Sequence, residues 1–587
     1  MNPIKVFREN LKYLLPAFGK YKKDAKISMI STVIETIIEL MLPFIMAKIV
    51  DDAIALKDVN LTIKYGIIMI ILSLLCMFCG TRATKYAGIS AAGFGYNLRN
   101  IQYKKIQTFA FEDIEEFSTS SLITRMTTDI QTIIMSVFMT IRFMMKSPIM
   151  LIVAVFLTLR INASLSMVFL VSLPVLLIAI YLIAKIAIPQ FSTFRSQFDR
   201  INLTVEENLE NIRVVKSFVK KDSEIKKFKN ESNAMFKLAD SIFGLLSSMF
   251  PFSNLIMFAT IVAIVWFGGN HIIQGKMGVG ELTSFVTYST QILMSLIMMS
   301  MVLIQVMSST ASIIRISKVL KHVASMKDSD DKSIKVEDGS IDFENVFFKY
   351  DLNSENYALS GVNLHIKSGE QIGILGETGS SKSTLVQLIP RLYDVSQGII
   401  KVSGKDVKDY NLENLRNDVA IVLQKNTLFS GTIRENLKWG KLDATDEELK
   451  KVCEISCADE FIQKRDGGLD SVLGQGGSGV SGGQKQRLCI ARALLKKPKI
   501  LIMDNSTSAV DTTTDSKIKE GLKEFSKDMT TIIIAQRINS IKNCDRIIMM
   551  KDGRIEDIGT HDYLYENNET YRDIYQAQEM GAEDEQK

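Results

Sequence analysis

The sequence predicts a helical membrane domain of six spans, followed by an α/β domain built around a phosphate-binding loop. The chain has 587 residues, which is enough for two large domains. Its mean hydropathy is +0.14 although 23% of its residues are charged, a mixture typical of a membrane part joined to a water-soluble part. Long uncharged runs end near residue 320, and a strand–loop–helix pattern begins at Gln371.

The predicted membrane domain covers residues 1–325. Its apolar runs match or approach the roughly 20 residues that a membrane-spanning helix needs. The six spans cover about 27–50, 64–82, 134–159, 161–185, 241–270 and 280–314, and the first and third carry charges well inside the apolar run. Lysine and arginine are concentrated in the N-terminal lead and in the loops after the second and fourth spans. This distribution predicts a multi-pass protein of the cell membrane with both termini in the cytoplasm.

Two long cytoplasmic segments separate the predicted spans. Residues 111–130 and 205–218 have apolar residues at helical spacing, so each predicts helical structure that extends below the membrane. We expect such helices to contact a soluble domain.

Two pairs of charged residues lie inside the predicted spans, where an ionisable group is costly. Glu35 and Glu39 are four residues apart in the first span, and Arg142 and Lys146 are four apart in the third. One interpretation is that they form interhelical ion pairs that stabilise the bundle. The other is that the carboxylates form an acidic patch that attracts cationic cargo.

A polar linker at 326–339 precedes the predicted soluble domain at 340–575, and an acidic polar tail follows at 576–587. Within the domain, a strand-like segment at 371–375 leads into GETGSSKST and then into an apolar helix. Backbone N–H groups at such a helix start bind phosphate oxygens, Lys382 reaches the outer phosphates, and Ser383 is a ligand for Mg²⁺. The usual pattern has glycine before the lysine, whereas this chain has Ser381, whose side chain is expected to crowd the phosphates.

Together with the other motifs, this loop resembles that of the ATP-binding cassette transporters, specifically exporter half-transporters. VSGGQ at 480–484 resembles the family's signature, and KILIMD ends in Asp504 of the metal-binding strand. Tyr350 matches the aromatic residue that stacks on adenine, and Gln424 matches the glutamine that senses Mg²⁺. The two cytoplasmic segments then correspond to coupling helices.

The resemblance implies ATP and Mg²⁺ as ligands. Its implied ATP-binding residues are Tyr350, Gly376, Glu377, Thr378, Gly379, Ser380, Ser381, Lys382, Ser383, Thr384, Gln424 and Asp504. Ser383 and Gln424 are the implied Mg²⁺ ligands, with Asp504 acting from outside the inner ligand sphere. The signature residues Ser481, Gly482, Gly483 and Gln484 are implied to contact the ATP of a second chain, and Asp511 to link the two sites.

Hydrolysis in this family needs a carboxylate after the metal-binding aspartate and a histidine after the next strand. This chain has Asn505 and Gln536 at those positions, and Gln475 where related exporters have glutamate before the signature. No complete catalytic set is therefore expected in this chain. Neutral drift or an engineered inactive variant is one explanation; the spread of the changes favours a natural degenerate site.

The predicted function is that of one subunit of a heterodimeric multidrug-type exporter, an ATP-dependent translocase. The chain supplies the phosphate loop of an impaired site and the signature of a competent one, and its partners are a non-identical half-transporter and the lipid bilayer. A hydrophobic or amphipathic cargo (drug-like, lipid or peptide) is implied, and the small net charge of +5 predicts no nucleic-acid partner. The alternatives are an ATP-binding membrane sensor without transport and an importer on the same fold.

Overall fold

A computed structural model describes residues 3–351, 354–505, 512–525 and 528–584. The chain divides into two compact units. The first comprises Met1–Gln107 and Ser120–His322, and the second comprises Thr108–Thr119 and Val323–Lys587.

The first unit is helical throughout its described elements. Its α-helices are α1 (Pro3–Leu14), α2 (Lys22–Lys48), α3 (Val59–Ile106), α5 (Thr119–Met126), α6 (Thr128–Met139), α7 (Met145–Ile161), α8 (Ala163–Ser166), α9 (Val168–Glu210), α10 (Ile212–Ser217), α11 (Lys221–Ile273) and α12 (Val279–Lys321). Between α3 and α5, α4 (Phe111–Phe117) belongs to the second unit. Two short π-helical segments, Ile49–Ile54 and Thr140–Met144, interrupt this pattern, together with a 3₁₀ segment at Leu15–Tyr21.

Four helical segments among the described residues are long and apolar enough to cross a membrane. They are Val59–Ile106, Thr119–Ile161, Pro251–Ile273 and Val279–Lys321. The predicted span at 27–50 falls largely on α2, which carries two glutamates, and the span at 161–185 falls on α8 and α9, where the apolar stretch is shorter. The predicted count of six spans is therefore not confirmed by length and composition.

The charged pairs of the predicted spans meet inside the first unit. Arg142, in the second π-helical segment, donates hydrogen bonds of 2.7 and 2.8 Å to the two carboxylate oxygens of Glu35. Lys146 lies 3.3 Å from Glu35 and 2.8 Å from Glu39. A Cβ at Gly80 would lie 3.2 Å from the Glu35 carboxylate, so glycine permits α3 to approach this cluster. The interpretation of the charges as interhelical ion pairs is confirmed.

Polar contacts also connect α2 and the segment after it to α12. The buried hydroxyl of Tyr288 donates to the carbonyl of Leu40 at 2.7 Å. Asp51, in the first π-helical segment, accepts hydrogen bonds from the backbone N–H groups of Gly280 (2.7 Å) and Glu281 (2.9 Å). A carboxylate at a helix N-terminus satisfies N–H groups that have no partner within the helix. These contacts fasten the start of α12 to α2 and the segment after it.

The second unit contains two main β-sheets. Its strands are β1 (Ile341–Phe348), β2 (Leu359–Ile366), β3 (Gln371–Gly376), β4 (Gln397–Val402), β5 (Lys405–Asp406), β6 (Val419–Val422), β7 (Gly431–Thr432), β8 (Val472–Leu473), β9 (Ile500–Asp504), β10 (Thr530–Ile534), β11 (Arg546–Lys551) and β12 (Arg554–Gly559). One sheet has the order β2-β1-β4-β5 and is antiparallel. The other has the order β12-β11-β3-β10-β9-β6 and is parallel except at β12. Every residue of β9 and β10 is buried, as expected for central parallel strands covered on both faces.

Short helices complete this unit. Besides α4 they are α13 (Lys382–Gln387), α14 (Leu412–Asp418), α15 (Ile433–Lys438), α16 (Asp446–Ile455), α17 (Asp459–Ile462), α18 (Gly482–Leu495), α19 (Thr512–Phe525), α20 (His561–Asn567) and α21 (Glu569–Asp584). Capping boxes begin α15, α16 and α18, where a Thr or Ser side chain accepts a backbone N–H three residues on. The last helix continues to Asp584, so residues 576–584, predicted as a polar tail, extend α21.

Candidate functional site

The parallel strands bring four sequence motifs to one edge of the six-stranded sheet. The phosphate loop follows β3, Gln536 follows β10, Asp504 ends β9 and Gln424 follows β6. These strands are neighbours in the order β3-β10-β9-β6 and run in the same direction. Their carboxyl ends therefore lie along one edge, which is where open α/β sheets bind ligands.

The phosphate loop connects β3 to α13. Gly376 (φ 156°) and Gly379 (φ 91°) adopt backbone conformations that favour glycine. A Cβ at position 376 would lie 2.2 Å from the carbonyl oxygen of Met550. The ammonium of Lys382 closes the loop by donating to the carbonyls of Gly376 (2.8 Å) and Glu377 (2.6 Å). The loop thus surrounds a cation, which matches the negative charge of a phosphate.

Ser381 lies in the left-handed region, with φ 67° and ψ 26°, directly before α13. Glycine adopts this conformation without steric cost, whereas a residue with a Cβ adopts it at a cost in free energy. The sequence predicted a conflict between the Ser381 side chain and the phosphates. The structure adds a second reason for glycine at this position, which is the backbone conformation itself.

Asp504 and Ser383 provide the oxygen groups expected at a Mg²⁺ site. Asp504 is 1% exposed, and its Oδ1 atom has no hydrogen-bond partner among the residues that the structure describes. Burial raises the pKa of the Asp504 carboxyl, while a hydrogen bond with Ser383 and the charge of Lys382 act in the opposite direction. Burial likewise lowers the pKa of Lys382, and the charge of Asp504 opposes this shift. A buried carboxylate oxygen beside a hydroxyl and an ammonium fits a site for Mg²⁺ and phosphate together.

Asn505 directly follows Asp504, at the position for which the sequence predicts a missing carboxylate. It is 9% exposed and has φ 48°, a region in which asparagine is enriched. Its N–H donates to the carbonyl of Ile534 (3.1 Å), and its carbonyl accepts a hydrogen bond of 3.3 Å from Gln486. The backbone is thus fixed between the end of β10 and the signature helix α18. The contribution of Gln486 has no motif in the sequence and becomes visible only in the fold.

The two glutamines of this edge are exposed. Gln424 follows β6 in an irregular segment, and Gln536 follows β10. The Gln536 carbonyl accepts a hydrogen bond of 2.8 Å from the side chain of Gln578 in α21, and the same side chain accepts the N–H of Ile538 at 2.9 Å. Gln578 lies in the part of the chain predicted as a tail, so sequence reasoning missed this contact.

Tyr350 follows β1 of the antiparallel sheet and leaves 45% of its surface exposed. Its hydroxyl lies 3.0 Å from the hydroxyl of Thr384 in α13, which connects the predicted adenine-stacking residue to the phosphate loop. The rings of Phe348 (4.8 Å) and Tyr393 (5.3 Å) contact Tyr350 edge-on, at 81° and 88°. An aromatic ring held in this way offers a face on which a base can stack.

The signature motif begins α18. The hydroxyl of Ser481 accepts the N–H of Gln484 at 3.3 Å, and the Gln484 side chain accepts the N–H of Ser481 at 3.0 Å. Ser481 and Gly482 are exposed, so this 14-residue helix presents its N-terminus to solvent. Among the described residues, no hydrogen bond joins the signature to the phosphate loop of the same chain.

The remaining predicted site residues differ in how exposed they are. Glu377 and Thr378 are exposed, Ser380 is buried, and Gly483 lies in the first turn of α18. Asp511 lies outside the described residues. Gln475 lies in a short 3₁₀ turn before the signature and is exposed.

Comparisons with known proteins match both units. The family model described as the ABC transporter transmembrane region matches residues 26–296, and the one described as ABC transporter matches residues 359–508. The ABC transporter ATP-binding protein YfiB of Bacillus subtilis is 35% identical over 558 residues, which cover 95% of this chain and 97% of that protein. Rv1273c of Mycobacterium tuberculosis, with the same description, is 34% identical over 567 residues, or 96% of this chain and 97% of that protein.

A solved structure shows the same fold. The structure of a bacterial Atm1-family ABC exporter with ATP bound superposes with a TM-score of 0.81, at 22% sequence identity, over 95% of this chain and 98% of that chain. The chain therefore belongs to the ABC transporter family, with an exporter-type helical membrane domain and an ATP-binding domain in one polypeptide.

Proposed function

We propose that this chain is one subunit of a heterodimeric exporter of the cell membrane, with six spans and both termini in the cytoplasm. Its phosphate loop, Tyr350, Gln424, Asp504 and Gln536 form an ATP site that is impaired in hydrolysis. Its signature completes a competent site whose catalytic carboxylate comes from a second, non-identical chain. Ser383 and Gln424 bind Mg²⁺ in the impaired site, and the cargo is a hydrophobic or amphipathic compound.

The observation that carries this proposal is the pairing of Asn505 with an intact signature. A carboxamide beside Asp504 cannot accept the proton of an attacking water, so the site that contains it lacks a general base. The backbone of Asn505 is nevertheless well fixed, by its bonds to Ile534 and Gln486. The loss is therefore one of chemistry and not of local folding.

The signature supports the second half of the assignment. The N-terminus of α18 carries partial positive charge and unpaired N–H groups, which favour a γ-phosphate. Ser481 and Gly482 are exposed, as required of a motif that meets the nucleotide of another chain.

Exposed apolar residues at and after α10 support the presence of a second subunit. Val214 (54%), Phe218 (71%) and Val219 (85%) are exposed at and after α10, a helix with no buried residue. Apolar surface of this kind marks contact sites. We assign it to contact with the second subunit.

The test compares the purified chain alone with the chain co-expressed with a second half-transporter that has glutamate after its metal-binding aspartate. Mg²⁺-dependent phosphate release is measured for both. The proposal expects ATP binding without brisk turnover by the chain alone, and turnover by the pair. Replacing the glutamate of the second chain by glutamine should abolish turnover. Brisk hydrolysis by a homodimer of this chain would falsify the two-chain assignment.

The variant Asn505→Glu tests whether the lost carboxylate is the whole deficiency. We expect it to restore little hydrolysis in the chain alone, because Gln536 and Ser381 remain. Full turnover in Asn505→Glu would show that one residue accounts for the impairment. Export of a fluorescent drug from vesicles containing the pair distinguishes transport from ATP sensing, since a sensor hydrolyses or binds ATP without moving cargo.

A further inference from the structure

Ring contacts within the second unit connect Tyr350 to α4. The ring of Tyr393 lies 5.3 Å from that of Tyr350 at 88°, and 6.0 Å from that of Phe111, the first residue of α4. The hydroxyl of Tyr393 donates to a carboxylate oxygen of Glu115 at 3.4 Å. One side chain therefore touches both the candidate base-stacking residue and the first cytoplasmic segment.

The backbone that carries Tyr393 is fixed. Arg391, two residues earlier, is 3% exposed and has φ 50°. Its guanidinium donates to Asp394 at 2.7 Å and to the carbonyl of Lys327 at 3.1 Å. Its carbonyl accepts a hydrogen bond of 2.7 Å from Arg416. The backbone near Tyr393 is therefore held in place, and the Tyr393 ring packs against Tyr350, Phe348 and Phe111 of α4.

The helix α4 has few means of stability of its own. It has seven residues, and an isolated helix of this length does not persist in water. Asp113, which is 3% exposed, accepts the N–H groups of Ala110 (2.8 Å) and Ser325 (3.2 Å). Asp113 and the buried Phe117, whose ring stacks on that of Phe109 at 5.6 Å, hold the helix in the unit. Phe111 and Glu115 meet Tyr393.

We propose that Tyr393 is a positioning residue through which the base of a bound nucleotide orders α4. A base stacked on Tyr350 fixes the angle of that ring. The edge-on contact then limits the motion of the Tyr393 ring, and Tyr393 in turn limits the motion of Phe111 and Glu115. Because coupling is reciprocal, ordering of α4 also strengthens binding of the base. The inference rests on the proposed binding of ATP to this chain, and it concerns the base, whereas the phosphate loop binds the phosphates.

The test measures amide hydrogen exchange of residues 111–117 in the full-length chain in lipid nanodiscs. Saturating Mg²⁺-ATP is compared with saturating Mg²⁺-tripolyphosphate, which has the phosphates and no base. In the unmodified chain we expect exchange to be slower with ATP than with tripolyphosphate by about threefold or more. Tyr393→Ala should remove this difference, whereas Tyr393→Phe, which keeps the ring, should retain most of it.

Tyr357→Ala is a matched control, because Tyr357 contacts Phe347 on the same sheet and has no contact with α4 among the described residues. Phe111→Ala provides a second variant from the helix side, and should also remove the difference. A difference unchanged in both Tyr393→Ala and Phe111→Ala would overturn the inference, as would equal protection by both ligands in the unmodified chain. Failure of the unmodified chain to bind ATP would instead overturn the proposed function.

Discussion

The guanidinium of Arg142 holds both carboxylate oxygens of Glu35, at 2.7 and 2.8 Å, and the side chains are 9% and 8% exposed. Two-point binding of this kind is the strongest geometry available to a carboxylate. Arg142 lies in a π-helical segment, and such segments are frequently found at functional sites. Here the segment places the guanidinium of Arg142 opposite α2. The buried negative charge of Glu35 is therefore balanced by a neighbouring positive charge.

Glu35→Gln should therefore destabilise the membrane domain far more than Glu39→Gln. Removing one partner of a buried pair leaves a buried charge and costs about 3–5 kcal/mol. Glu39 is 31% exposed at its side chain and, within the described part of the chain, pairs with Lys146 only, so its loss should cost below about 1 kcal/mol. The thermal unfolding midpoint of the detergent-solubilised chain measures both effects. Equal shifts for the two variants would contradict this reading.

Ser481→Ala should remove turnover by a heterodimer and cost about 1 kcal/mol of stability through the lost helix cap. Thr445→Ala is the matched control, because Thr445 begins α16 with the same kind of capping box and lies in no predicted site motif. Phosphate release and the thermal midpoint are measured for both variants. We expect similar midpoints and turnover only in Thr445→Ala. Retained turnover in Ser481→Ala would show that this signature serves no working site.

Ser381→Gly should strengthen ATP binding by about fivefold, equivalent to about 1 kcal/mol, if the serine side chain crowds the phosphates. Backbone strain at φ 67° is present with and without ATP, so its relief should alter stability and not affinity. Asp552→Gly makes the same change at another left-handed position, in the turn between β11 and β12, and should leave the Kd for ATP unchanged. Equal Kd values for Ser381→Gly and the unmodified chain would exclude crowding.

Gln578→Ala should loosen the loop that carries Gln536. The variant loses two hydrogen bonds to this loop, each contributing about 1 kcal/mol. Amide exchange at 536–538 should become about tenfold faster, and the preference for ATP over ADP should fall if the loop faces the γ-phosphate. Glu579→Ala is the neighbouring control, since Glu579 accepts a hydrogen bond from Tyr575 instead. Unchanged exchange in Gln578→Ala would show that α21 does not support the loop.

Much of the α/β unit could be predicted from local patterns. The run at 371–375 is apolar and is followed by a glycine-rich loop, so strand, loop and helix follow from simple rules. The capping boxes of α15, α16 and α18 are visible as Thr or Ser followed three residues later by Glu or Gln. The motifs follow successive strands, and parallel strands bring their carboxyl ends to one edge of the sheet. These two facts together locate the candidate site at that edge.

Other parts depend on contacts between distant residues, which no local pattern contains. Gln486 and Gln578 read as ordinary helical residues, although one binds the carbonyl of Asn505 and the other the loop of Gln536. The π-helical segment at Thr140–Met144 also gave no signal, because a single wider turn leaves the apolar spacing almost unchanged. The span on α2 remains a prediction. Criteria of length and composition do not select this helix, and its two glutamates lower its mean hydropathy.

The left-handed backbone at Asn505 has an evolutionary consequence. Asparagine enters this region more readily than glutamate does, so under the proposed assignment an exchange of the carboxylate for the amide would relieve local strain at φ 48°. The reverse mutation would restore that strain, and it would restore little turnover while Gln536 and Ser381 remain. The step back at position 505 is therefore penalised when it occurs alone. Under the proposed assignment, the gene for this chain stays tied by selection to the gene for its partner.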